Sequence, residues 1–80
     1  MVNVIFDPDF KKDFEKIKNK DIKEQIIKQI TKIKENPEIG KSMRYERRGT
    51  RELYVGSSRL SYVFEGDTVF ILAIYHKDEQ

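Results

Sequence analysis

Residues 69 to 75 read Val69-Phe70-Ile71-Leu72-Ala73-Ile74-Tyr75, without a charge, a glycine or a proline. A strand with one face in water alternates apolar and polar side chains. A run that is apolar at both parities marks a central strand, covered by helices on one side and partly covered on the other. The rest of the chain supplies its neighbours and its cover. Glu65-Gly66-Asp67 separates it from a strand over 59–64, and Gly56-Ser57-Ser58 separates that strand from another over 51–55, so the three form a meander.

The first half has helical period. Val2 to Phe6 is a short β-branched strand that stops at Asp7-Pro8, where Asp7 suits the N-cap, Pro8 the first helical position and Asp9 the positive helix end. Phe10, Phe14 and Ile17 recur on one stripe, and Asn19-Lys20-Asp21 breaks the helix. Ile22, Ile26, Ile27, Ile30 and Ile33 then make the apolar face of a second helix, ended by Glu35-Asn36-Pro37. So short a joint predicts a helical hairpin on one face of the sheet. The segment 38–50 has weak periodicity, with a short strand around Met43 to Glu46 as its one candidate element. The fold expected is α+β, β-α-α followed by three or four strands, with the hairpin packed on one face of a mostly antiparallel sheet. One domain spans residues 1–80.

Hydrophobic and charged residues each make up 38% of the chain, which leaves a thin core and a densely ionic surface. Without Cys there is neither disulfide nor thiolate metal site, and a lone His rules out a histidine metal cluster or a two-histidine ribonuclease. No signal sequence or membrane-length apolar run is present, so the chain is read as soluble and cytoplasmic, with no membrane partner.

The basic residues are segregated by type. Nine of the eleven Lys lie between Lys11 and Lys34 among acids, as on a solvated helical surface, whereas all five Arg lie between Arg44 and Arg59. Residues 41–60 hold six basic side chains (Lys41, Arg44, Arg47, Arg48, Arg51, Arg59) against Glu46 and Glu52, a local charge of +4. Strand alternation places Leu60, Tyr62 and Phe64 toward the helices and Arg59 outward, with Glu52 and Tyr54 beside it. His76 and Lys77 emerge where the last strand ends, and the outer face is expected to gather Arg59, Tyr54, Arg48 and one or both of them. Guanidinium groups fork onto phosphate oxygens and aromatic planes stack on unpaired bases, so this composition suits RNA. The bland alternative is that the arginines pair with Glu38, Glu46, Glu52 and Glu65 and only solubilise an edge.

The stretch Arg51-Glu52-Leu53-Tyr54-Val55-Gly56-Ser57-Ser58-Arg59-Leu60-Ser61-Tyr62-Val63-Phe64, the closing Ile71-Leu72-Ala73-Ile74-Tyr75-His76-Lys77 and the opening Phe6-Asp7-Pro8-Asp9-Phe10-Lys11-Lys12-Asp13-Phe14 resemble the RelE/ParE toxin superfamily, closest to its RelE-type members. The resemblance covers nearly the whole chain. It implies a microbial-ribonuclease-like fold and the toxin of a type II toxin–antitoxin system, cleaving mRNA in the ribosomal A site by attack of a 2′-hydroxyl. It also implies silencing by a RelB-like antitoxin in a hetero-oligomer, and neither metal nor cofactor. Carried across, Arg59 is the ligand of the scissile phosphate and Lys77 stands where the family has a second arginine. Glu52 and Tyr54 occupy positions often basic in RelE proteins, and no aromatic follows Lys77. The expected site is Arg59, Lys77 and Arg48 for charge and His76 as proton acceptor, with Arg44, Arg47, Arg51 and Tyr54 binding RNA. Two alternatives share the pattern: a ParE-like inhibitor of DNA gyrase without nuclease activity, and an RNA-binding module without catalysis.

Overall fold

The computed structural model describes residues 2–42 and 49–76. Strand β1 (Asn3–Phe6) leads to helix α1 (Pro8–Lys16), helix α2 (Lys20–Glu35), a two-residue strand β2 (Lys41–Ser42) and the meander β3 (Thr50–Val55), β4 (Ser58–Glu65) and β5 (Thr68–His76). The sheet order is β1-β5-β4-β3-β2, with β1 parallel to β5 and every other pair antiparallel. No described helix is long and apolar enough to cross a membrane.

Local chemistry sets the boundaries. Asp7 caps α1 by accepting from the Asp9 N–H at 2.8 Å, with Pro8 as the first helical residue. Asn19 does more than break the first helix: its Oδ1 caps α2, accepting from the N–H groups of Asp21 (2.8 Å) and Ile22 (3.2 Å). Both hairpins of the meander turn through a glycine at positive φ, 59° at Gly56 and 60° at Gly66, the conformation their two-residue turns require.

The core lies between the helices and one sheet face, built from Phe10, Ile26, Ile33, Val55, Leu60, Tyr62, Val69, Ile71 and Ile74. Phe64, expected among them, is only partly buried near the β4–β5 turn. The β4–β5 register explains why the 69–75 run is apolar at both parities. Ser61 pairs with Ala73 and Tyr62 with Ile71, so the register shifts past Leu72. The inward series is therefore Val69, Ile71, Ile74 rather than a strict alternation. The shift moves the inward phase from odd to even positions, and both must be apolar.

One buried polar group ties the end of α2 to the sheet. The Tyr62 side chain is fully enclosed, and its hydroxyl donates to the Pro37 carbonyl and accepts from the Gly40 N–H, each at 2.8 Å. Burial pushes the phenol above its usual pKa, opposed by the Gly40 hydrogen bond and the Arg51 charge. Gly40 lies so close that a Cβ there would sit 2.6 Å from the Tyr62 hydroxyl oxygen. Gly40→Ala should therefore destabilise the protein by about 1–3 kcal/mol through overpacking. Urea melts of the two proteins measure this, and an unchanged midpoint would show that Tyr62 moves aside freely.

Candidate functional site

Cross-strand pairing fixes what shares the helix-free face. Tyr54 lies opposite Arg59, Arg59 opposite Tyr75, Glu52 opposite Ser61, and Lys41 opposite Glu52. Directly paired residues point to one side, so Lys41, Glu52, Tyr54, Arg59 and Tyr75 converge there. Strands β3, β4 and β5 carry the central members, and β2 adds Lys41 at the edge.

Arg59 is the hub. Its Nη1 lies 3.6 Å from Glu52 Oε1, and its guanidinium carbon sits 5.3 Å from the centre of the Tyr54 ring. The Tyr75 hydroxyl donates to Glu52 Oε2. The Glu52 side chain is only 6% exposed and that of Arg59 26%, whereas Tyr54 is 63% exposed. Arg59 Nε is buried and has no hydrogen-bond partner among the described residues, an uncommon state for a guanidinium donor. Lys41, Glu52, Leu53, Tyr54 and Arg59 line a cleft of about 250 Å³. That is below the several hundred Å³ of most small-molecule pockets, and it suits one segment of a polymer lying across the face.

Several expected members are elsewhere. His76 pairs with Ser58, one step out of phase with the Arg59–Tyr75 pair, so both lie on the helix side, where they line a depression with Asp13, Lys16 and Ile17 of and after α1. The expectation that His76 joins the Arg59 face is corrected by this register. Arg51 pairs with buried Tyr62 and also faces the helix side, where its Nη1 donates to the carbonyls of Glu38 (3.1 Å) and Gly40 (2.9 Å). It holds a loop and does not join the Arg59 cluster. Arg44, Arg47, Arg48, Lys77 and the strand expected around Met43 to Glu46 lie outside the described residues.

Three members of the face were not singled out from the sequence. Glu52 was placed outward but read as a departure from a basic pattern. Tyr75 was counted as part of an apolar run, and the shift at Leu72 puts it on the Arg59 face. Lys41 sits on a strand too short to show a period.

This arrangement, two helices on one face of a five-stranded mixed sheet, is shared with solved structures of bacterial toxins. The toxin–antitoxin complex RelBE of E. coli matches at a TM-score of 0.81 with 20% identity over 95% of this chain and 96% of that one. RelBE2 of Mycobacterium tuberculosis matches at 0.83 with 26% identity over 95% and 98%. A YoeB/ParE toxin from Agrobacterium tumefaciens matches at 0.84 with 14% identity over 94% and 98%. No curated protein sequence matches. The family model described as the ParE toxin of the type II toxin–antitoxin system parDE covers residues 4–80, and the chain belongs to that family.

Proposed function

We propose that this toxin is a metal-independent endoribonuclease that cuts mRNA in the ribosomal A site through its helix-free face. The observation that carries the reading is the Arg59–Glu52 pair: a guanidinium able to bind phosphate and a carboxylate able to accept a proton, 3.6 Å apart beside an exposed aromatic ring. Strand cleavage without a metal needs those two functions side by side. The 2′-oxygen attacks the adjacent phosphorus as Glu52 takes its proton. The phosphorane spreads negative charge onto oxygens facing the Arg59 guanidinium. The P–O5′ bond then breaks, leaving a 2′,3′-cyclic phosphate and a 5′-oxygen that is protonated from solvent. The Arg59 side chain is 26% exposed, which leaves part of its guanidinium open to an incoming phosphate oxygen. Tyr54, well exposed, offers a plane to a neighbouring base. Tyr75 orients the Glu52 carboxylate.

Glu52 thus takes the proton-accepting role first expected of His76. Arg48 and Lys77 remain proposed contributors of charge, and Arg44 and Arg47 of RNA contacts. The ribosome aligns the message, so a compact site suffices. The partner that silences it is a RelB-like antitoxin, and the setting is the cytoplasm.

The same pair supports a second reading, since a carboxylate already on Arg59 competes with phosphate: a ParE-like toxin that acts on DNA gyrase and leaves RNA intact. Purified chain added to translating ribosomes, with 3′ ends mapped on the message, separates the two. Codon-positioned cuts support the nuclease, whereas intact mRNA together with gyrase-dependent DNA cleavage would establish the gyrase reading. In the same assay His76→Ala should leave cut positions and rate unchanged, because its side chain lies across the sheet from Arg59. A slowed chemical step in that variant would return His76 to the site.

A further inference from the structure

Lys41 is the one basic side chain on the described Arg59 face that lies on the far side of Glu52. A cross-strand Lys–Glu couple is ordinarily read as a surface ion pair. Here the carboxylate is committed elsewhere: Oε1 faces Arg59 and Oε2 accepts from Tyr75, and the Glu52 side chain is buried while Lys41 is exposed. Lys41 therefore stands at the open edge of the cleft, its backbone about 12 Å from that of Arg59, two strand spacings across and two residues along. Flexible side chains bring that separation within reach of successive phosphates on one strand.

A second feature fixes where Lys41 stands. It directly follows Gly40, whose N–H donates to the Tyr62 hydroxyl and whose carbonyl accepts from Arg51. Both are anchored on the helix side of the sheet. The residue entering β2 is thus clamped at both backbone polar groups, although β2 itself is only two residues long. An isolated pairing of that length would fray without the clamp.

We propose that Lys41 forms a second phosphate subsite, one nucleotide from the phosphate held by Arg59, and that Tyr62 and Arg51 are its positioning residues. The ligand class is a single-stranded polynucleotide, and the inference rests on the reading of the Arg59 face as an RNA-binding surface. Lysine at this place binds as a point charge, so it adds affinity and register without selecting a base.

The test measures binding of a 2′-O-methyl oligoribonucleotide, which has no free 2′-hydroxyl and stays uncut, across a salt series. The proteins are the native chain, Lys41→Gln, Lys41→Arg, Tyr62→Phe and Arg59→Ala. Lys41→Gln should weaken binding at low salt and lower the slope of log K against log salt by about 0.7, the value of one single-strand phosphate contact, with Lys41→Arg close to native. The deficit should shrink by roughly 2.5-fold between 50 and 200 mM salt, the same slope read over that range. Tyr62→Phe, checked for folding by its melt, should reproduce the lowered slope without any change of charge. A native slope in Lys41→Gln alongside a lowered one in Arg59→Ala would overturn the subsite and leave the RNA-binding face standing. Native slopes in both would overturn the face itself and the subsite with it.

Discussion

Replacing Arg59 by alanine should slow mRNA cleavage by about 10²- to 10³-fold, the usual cost of losing one preorganised donor to a developing oxyanion. The guanidinium sits between Glu52 and the Tyr54 ring, so its removal takes away the cation that faces the phosphorane and frees the aromatic platform. It also takes the Arg59 cation from beside the almost wholly buried Glu52 carboxylate. A lowered melting temperature is therefore expected too, because weakening the pairing of a buried charge is destabilising. Rates must be compared at a temperature where both proteins are folded. Arg59→Lys keeps the charge and loses the planar fork, and should fall between native and Arg59→Ala. The check is a single-turnover time course on programmed ribosomes, and native-like cutting by folded Arg59→Ala would remove the hub from the chemistry.

Glu52→Gln should divide chemistry from binding. The amide keeps the shape and still accepts from Tyr75, but it cannot take a proton from a 2′-hydroxyl, so cleavage should drop by about 10²- to 10⁴-fold, the range for a positioned general base. RNA affinity should rise in the same variant, because a negative charge 3.6 Å from Arg59 no longer competes with phosphate. That opposition distinguishes the proposed role from a structural one: a merely supporting residue would lose binding and cleavage together. Tighter binding with undiminished cutting would instead mean that another group accepts the proton.

Much of this molecule is legible in its sequence because the signals are local and strong. Asp7-Pro8 at the first helix, the isoleucine stripe of the second and the glycine turns at Gly56 and Gly66 each impose a backbone choice on their own neighbourhood. Alternation sufficed to put Arg59, Tyr54 and Glu52 together, because β3 and β4 pair in an unbroken register. The failures arise where a long-range relation decides. The side on which His76 lies depends on a shift near Leu72 that an unbroken apolar run conceals. Arg51 is the exception: composition grouped it with the other arginines, although the alternation that turns Glu52 and Tyr54 outward already turns it to the Tyr62 side. Lys41 owes its place to a clamp between residues more than twenty positions apart, invisible to any window along the chain.

The parallel pairing of β1 with β5 has a consequence for biosynthesis. The first strand made is bordered by the last, with Val4 beside Val69 and Phe6 beside Ile71, so it must wait unpartnered while the intervening residues are translated. Contacts between such distant positions form late. Tyr75, which orients Glu52, also lies on that final strand. The cluster of Arg59, Glu52 and Tyr75 is therefore assembled only once that closing strand has been made and has docked against β4.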